Sequence, residues 1–162
     1  MAKIAADRLR EVLNYDAATG VFVWKRALGR RIRVGSLAGT INPDTGYRII
    51  AIDRRLYPAH RLAWLYEHGQ WPSGALDHKN RIRDDNRMAN LRPATRSQNR
   101  ANSTVVHNKS GFRGASRYGK RHWEARIVID GKRRHLGIFG TPMEASAAYM
   151  AYAKEHFGEF FG

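Results

Sequence analysis

The sequence predicts an α+β protein made of small modules. Three observations lead there. Its strand-like runs are short and bounded by Gly, Asn and Asp; Thr95 and Thr141 each open a helix signature; and the last third of the chain reads as three strands followed by one helix. A length of 162 residues fits one large domain or two or three small ones, which excludes a large multidomain enzyme. With 43% hydrophobic and 10% aromatic residues the modules can bury cores, so wholesale disorder is excluded despite 27% charged residues.

Residues 4–14 repeat apolar groups at helical spacing, with Ile4, Leu9 and Leu13 on one side, and predict a helix that stops before Tyr15-Asp16. Val21-Phe22-Val23-Trp24 and Tyr47-Arg48-Ile49-Ile50-Ala51-Ile52 are strand-like, and the Gly-rich stretch between them places Arg30, Arg31 and Arg33 on a loop. Asp53-Arg54 turns the second strand into Leu56-Tyr57, after which Ala59 to His68 reads as an amphipathic helix closed by Gly69. Residues 1–75 are therefore expected to form a small helix-and-sheet module. From Leu76 to Asn102 the pattern is a short strand, a polar loop, Asn90-Leu91-Arg92 and a helix near Thr95, where Thr95 and Gln98 fit a capping box. The stretch from Asn102 to Ser110 is polar and aperiodic, and reads as a linker.

Phe112 to Tyr118, His122 to Ile129 and Arg134 to Phe139 are the last strands, with Asp130-Gly131 as a hairpin turn. Thr141-Pro142-Met143-Glu144 combines a cap, an N1 proline and a box glutamate, and opens a helix that buries Ala145, Ala148, Tyr149 and Tyr152. The expectation is a three-stranded antiparallel sheet packed on one helix. Alternation puts Trp123, Ala125, Ile127 and Ile129 against that helix and His122, Glu124, Arg126 and Val128 outside.

Charge narrows the partner. Against 14 acidic residues stand 29 Lys and Arg, a formal +15, so the field attracts polyanions, nucleic acid foremost. Residues 108–135 carry nine basic and two acidic groups, and 136–162 one basic and three acidic. On the outer sheet face Arg126 is expected beside Arg113 and Arg117 of the first strand and Arg133 and His135 of the third, a surface suited to a DNA groove. A solvated face on a basic protein would look similar; the one-sided distribution favours binding. Cysteine is absent, which removes disulfides, thiolate metal sites and thiol nucleophiles, so any metal must use oxygen or imidazole ligands. No apolar run approaches the roughly 20 residues a membrane helix needs, and the start lacks a signal peptide's apolar core, so a soluble, intracellular protein is expected.

Leu76-Asp77-His78-Lys79-Asn80, Asp85-Asn86-Arg87-Met88-Ala89-Asn90-Leu91 and Ser97-Gln98-Asn99 combine three needs of phosphodiester hydrolysis. Asp77 and Asn99 offer the oxygens a hard divalent cation prefers. His78 has an imidazole able to deprotonate water near neutral pH. Arg92, Arg96 and Arg100 can hold backbone phosphates. Neighbours in a regular strand point to opposite faces, so Asp77 and His78 serve one site only where the strand bends or ends. No nucleophile-elbow serine and no phosphate-binding Gly-Lys-Ser/Thr loop is present, which argues against acyl transfer and ATP-driven chemistry.

Residues 56–102 resemble the HNH homing endonucleases of phages and group I introns, through Ala59-His60-Arg61-Leu62-Ala63-Trp64, Trp71-Pro72, Asp77-His78, Asp85-Asn86-Arg87, Asn90-Leu91-Arg92, Ala94-Thr95 and Gln98-Asn99. The resemblance implies a ββα-metal nuclease in which Asp77 binds the ion, His78 is the general base, Asn90 braces the loop between the strands and Asn99 completes the metal site. Tyr15-Asp16, Thr19-Gly20, Phe22-Val23-Trp24, Gly35, Ala38-Gly39 and Gly46-Tyr47 resemble the segment that precedes the nuclease in such phage proteins, a DNA-contacting platform. The last block is similar to the Apetala-type domain of plant ethylene-response factors, through Ser110-Gly111-Phe112-Arg113-Gly114, Trp123-Glu124-Ala125-Arg126-Ile127, Leu136-Gly137-Ile138-Phe139, Glu144-Ala145 and Ala148-Tyr149. In that family the sheet lies in the major groove, and Arg113 matches a contacting arginine. It departs near Arg117, where the family has a contacting tryptophan, and at Val128, where it has an arginine, so base preference does not transfer.

Together these resemblances divide the chain into a DNA-contacting module over 1–55, an HNH nuclease module over 56–103 and an Apetala-like DNA-binding domain over 104–162. They imply a monomer that nicks double-stranded DNA with one Mg²⁺ or Mn²⁺ per active site, away from membranes, in the cytoplasm of a bacterial host. His60 precedes Arg61 at a helix start and matches a family position, with packing or phosphate contact expected there ahead of catalysis; His68, His107, His122 and His156 read as structural. The rival reading is a catalytically inactive DNA-binding protein, a regulator or architectural factor. RNA binding would leave the Asp-His and Asn spacing without purpose.

Overall fold

The computed structural model describes residues 3–103, 106 and 108–162, so His107 lies outside the described residues. The architecture is α+β, as the sequence predicts, and the chain divides into two compact units, residues 1–93 and 94–162.

In the first unit, helix α1 (Ala6–Val12) runs directly into strand β1 (Leu13–Asp16), which pairs antiparallel with β2 (Val21–Trp24). Helical spacing predicts that α1 extends to residue 14; it stops sooner because Leu13 pairs with Trp24 and is fully buried there. Strands β3 (Thr40–Ile41), β4 (Arg48–Ile52) and β5 (Arg55–Pro58) form an antiparallel sheet in that order. Asp53 and Arg54, both at positive φ, make the two-residue turn between β4 and β5, a geometry that matches the twist of a hairpin. Helix α2 (Ala59–His68) ends at Gly69. Strand β6 (Ala75–His78) then leads through a long loop and a 3₁₀ turn, Met88–Asn90, to β7 (Leu91–Ala94), with which it forms a two-stranded sheet.

One core serves this whole unit. Leu9, Val12, Leu13, Phe22, Ile50, Ile52, Leu62, Leu65 and Leu91 pack in a single cluster, so residues on both sides of position 55 share one hydrophobic interior. The β1–β2 turn docks on the loop that precedes β7: the Tyr15 hydroxyl donates to Asn86 O (2.7 Å) and Met88 N donates to Ala17 O (3.1 Å). Gly20 makes this approach possible. At φ +74°, a Cβ there would stand 2.5 Å from Arg87 N.

In the second unit, α3 (Arg96–Ala101) precedes β8 (Ala115–Tyr118), β9 (His122–Ile129) and β10 (Lys132–Phe139), ordered β10-β9-β8, and α4 (Pro142–Phe157) crosses them. Both expected capping boxes form, Thr95 with Gln98 and Thr141 with Glu144. Ala125 and Ile127 are buried toward α4, where Ala145, Ala153 and Phe157 meet the sheet. The first strand starts at Ala115 and not at Phe112, because Asn108 Nδ2 takes up Phe112 O (2.7 Å) and Ala115 O (2.8 Å) and Gly114 turns at φ +76° against the Tyr149 ring.

Gly20→Ala tests whether the turn carries the loop. The expected cost is about 2–4 kcal/mol, read as a lower urea midpoint at unchanged m-value; a midpoint equal to wild type would show that the turn relaxes freely.

Candidate active site and nucleic-acid interface

Strand β6 ends on Asp77 and His78, which are 3% and 4% exposed. The two side chains take different partners. Asp77 Oδ2 accepts from Arg92 Nε (2.9 Å) and lies 2.8 Å from Arg92 Nη2, and Arg92 is itself 7% exposed. A guanidinium expected to hold phosphate is thus buried across the β6–β7 pair, where it offsets the desolvation of the carboxylate. His78 lies against Tyr47 and His60, ring centroids 5.7 and 5.2 Å away. Burial pulls the His78 pKa below the usual histidine value, while hydrogen bonding to Asn86 and the Asp77 charge pull the other way. An uncharged imidazole is the form that can accept a proton.

Asn90 is buried and ties down the loop ahead of it: its Oδ1 accepts from Asn80 N (3.0 Å) and its Nδ2 donates to Asp85 O (2.8 Å). Asp85 joins the same brace, accepting from Asn80 Nδ2 (2.6 Å) and Arg87 Nε (2.8 Å), and the Arg87 guanidinium holds its pKa down at about 2. Arg48 on β4 forms a two-pronged pair with Asp84, Nε to Oδ1 and Nη2 to Oδ2 both at 2.9 Å. The loop after His78 is therefore anchored at both ends and in its middle.

Tyr47, Asn86, Asp84 and Arg48 are given no role at this site by the sequence pattern. Asn86 and Asp85 stand inside a motif, which was the available signal; Tyr47 and Arg48 reach the site from another element, which no local pattern reports. His60 occupies the first turn of α2. Its Nδ1 is sealed from solvent with no hydrogen-bond partner among the described residues, and burial holds its pKa at about 3.

Asn99 lies half-buried on α3, in the second unit, whereas Asp77, His78 and Asn90 belong to the first. The Asp77 carboxylate is the kind of hard oxygen donor that Mg²⁺ or Mn²⁺ takes, with water and phosphate filling other positions, so its chemistry fits such an ion. Among the described residues, no three His, Cys or acidic side chains cluster as a metal cage. No helix among them is long and apolar enough to cross a membrane.

The expected DNA-contacting residues separate into two groups. Arg30, Arg31 and Arg33 are exposed on the loop between β2 and β3, and Arg96 and Arg100 are exposed on α3. On the outer sheet face, Arg126 pairs with His135 and Val128 with Arg133, all exposed; Glu124 accepts there, 2.9 Å from His135 Nδ1 and 3.7 Å from Arg126 Nη1. Two arginines depart from the expected face. Arg117 pairs with Trp123 and shares its side of the sheet, the guanidinium 4.9 Å from the ring centroid. Arg113 precedes β8 and turns inward: Nη2 donates to Ala101 O (2.6 Å), Nη1 donates to Gly162 O (3.1 Å), and the group lies over Phe161. A groove of about 680 Å³ within this unit is lined by Arg100, Arg113, Arg126 and Arg133, and none of its lining residues is acidic.

Residues 57–101 match the HNH endonuclease family. The matched stretch contains His60, Asp77, His78, Asn90 and Asn99. An uncharacterised HNH endonuclease of Acanthamoeba polyphaga mimivirus is 33% identical over 103 residues, 62% of this chain and 54% of the relative. The chain thus spans about half the length of the curated relative it matches. No solved structure matches it.

Arg92→Ala should strand a buried carboxylate at a cost of about 3–5 kcal/mol. Chemical denaturation of Arg92→Ala, Asp77→Ala and the double variant checks this: the double variant should lose less than Arg92→Ala alone, and a double loss equal to the sum of the two single losses would show that the ion pair carries no coupling.

Proposed function

We propose that the chain is a metal-dependent HNH DNA endonuclease of the homing type that nicks duplex DNA. The observation carrying this reading is the end of β6, where a buried carboxylate fixed by Arg92 is followed directly by a buried, charge-disfavoured imidazole, inside the stretch that matches the HNH family. His78 takes the proton of the attacking water as general base. Asn90 holds the loop that follows His78, and so the height of the imidazole above the strand end. Asp77 is a ligand of one Mg²⁺ or Mn²⁺ ion, and Asn99 is the second protein ligand that the resemblance implies. A bound divalent ion supplies positive charge at the scissile phosphate and the leaving 3′ oxygen. Products carry 5′-phosphate and 3′-hydroxyl ends.

Duplex DNA is held by sequence-blind contacts to its phosphates from Arg30, Arg31, Arg33, Arg96 and Arg100, and by the outer sheet face through Arg126, Arg133 and His135. In this reading residues 1–55 and the Apetala-like block over 104–162 position the nuclease module over 56–103, and the protein acts as a monomer, one nick per encounter. The second reading is a DNA-binding regulator without cleavage; the basic groove of the second unit favours it equally.

Supercoiled plasmid with Mg²⁺ separates the two. Wild type should convert it to the open circle; His78→Ala and Asp77→Asn should lose about 10²–10⁴-fold in rate while gel shifts stay unchanged, and chelator should abolish cleavage. Asparagine is used at position 77 because it keeps the volume beside Arg92. Binding without any cleavage at all would decide for the regulator.

Salt dependence tests the outer sheet face. Arg126→Ala and Arg133→Ala should each weaken binding about equally on all duplexes and lower the slope of log K against log salt by roughly 1. Arg117→Ala should leave that slope unchanged.

A further inference from the structure

His60 has no part in the proposed reaction, yet it stands where a part would matter. Its ring meets the His78 ring edge-on, centroids 5.2 Å apart with the planes at 71°. Tyr47, just ahead of β4, touches both rings, 4.9 Å from His60 and 5.7 Å from His78. Arg83 covers Tyr47 in turn, its guanidinium carbon 5.3 Å from the ring centroid. Side chains from α2 and from just ahead of β4 therefore meet one imidazole, and Arg83 of the loop after β6 backs the second of them.

An imidazole at the end of a strand needs such neighbours. The χ2 torsion of histidine joins an sp³ to an sp² carbon, and its energy profile is broad and roughly two-fold. Backbone geometry at His78 consequently leaves the ring plane undetermined, and packing or hydrogen bonds must select it. A general base works only when its lone pair lies along the line to the water proton, and a displacement of about 1 Å can cost about 100-fold in rate.

We propose that His60 is a positioning residue: with Tyr47, whose ring is tilted 42° from its own, it forms an aromatic wall that selects the plane of the His78 ring, and it acts through His78 without touching substrate. This rests on the reading of His78 as general base. Two further observations fit a wall and not a proton carrier. Burial keeps His60 uncharged, so no second positive charge opposes a proton arriving on His78. Its Nδ1, without a partner among the described residues, takes no part in a relay that the structure records.

The test compares full-length wild type, His60→Phe and His60→Ala by thermal melting, by single-turnover nicking of supercoiled plasmid with Mg²⁺, and by nitrogen-15 spectra of the His78 ring without metal or DNA. Removing the wall with alanine should slow nicking about 10–100-fold at saturating DNA, leave half-saturation within about twofold of wild type, and broaden or multiply the His78 ring signals. Phenylalanine keeps a flat ring and drops the nitrogens; it should bring the rate back to within about threefold and restore one set of ring signals. Where His60→Ala fails to melt cooperatively, His60→Leu takes its place, since it fills the volume without a planar face. A folded alanine or leucine variant with wild-type rate and unchanged ring signals overturns the proposal, and so does a phenylalanine variant as slow as alanine. A wild type that binds but never nicks removes the base reading, and the ring spectra then decide the wall by themselves.

Discussion

The buried pair of Asp77 and Arg92 is the constraint around which the nuclease-like half of the molecule is arranged. Strands β6 and β7 have four residues each, too few for a two-stranded ribbon to hold itself in water. A carboxylate 3% exposed is strongly disfavoured unless a cation meets it, and Arg92 can meet it only when the two strands lie side by side. Electrostatics thereby sets the strand pairing, the pairing places His78 at the strand end, and the loop that follows inherits its starting point. That loop is then tied to β4 by Arg48 and to the β1–β2 turn by the close approach at Gly20. The core of the first unit thus extends its rigidity to a site that has little hydrophobic packing of its own.

Features decided within a few residues were legible in the sequence. Both capping boxes, the Asp53-Arg54 and Asp130-Gly131 turns and the end of α2 at Gly69 are local agreements between side chain and backbone, so they read directly. Leu13–Asp16 was not legible as a strand, because the choice between a last helical turn and pairing with β2 is made by burial of Leu13 against a distant partner. Thr40–Ile41 is shorter than any period can reveal. At the site, the chemistry-bearing types at Asp77, His78 and Asn90 stand out by spacing. Tyr47 and His60 fall within matched motifs, yet nothing local reports that they meet the His78 ring, and Arg48 reaches Asp84 from another element.

Faces of the second sheet show a different limit. Alternation assigns a side only within a strand; between strands the turn length decides it. Tyr118 pairs with His122 across a three-residue turn, so odd-numbered residues of β8 lie with odd-numbered residues of β9, and Arg117 joins Trp123 on the helix side. Ile129 pairs with Lys132 across two residues, which reverses the parity and leaves Arg133 and His135 outside with Arg126. Asn108 and Ser110 take up the Phe112 carbonyl ahead of β8, so Arg113 falls before the strand and follows no alternation.

This sorting changes what the formal charge of +15 means. Arg113 donates to main-chain carbonyls, Arg117 lies on a tryptophan, and Arg92 is neutralised within the core. Arg113 and Arg117 still contribute to the long-range field, but Arg113 commits donors to three main-chain carbonyls and Arg117 lies on the helix side of the sheet, away from Arg126. Field and contact then fall to different residues in the proposed reading: most of the basic side chains contribute field, while the exposed arginines of the β2–β3 loop, α3 and the outer sheet face are assigned to phosphate contact. Glu124 refines the last group. Standing between Arg126 and His135, it lies 2.9 Å from His135 Nδ1 and 3.7 Å from Arg126 Nη1, so part of the positive field of this face is offset where the two donors stand, and in the proposed reading their orientation counts for more than their summed charge.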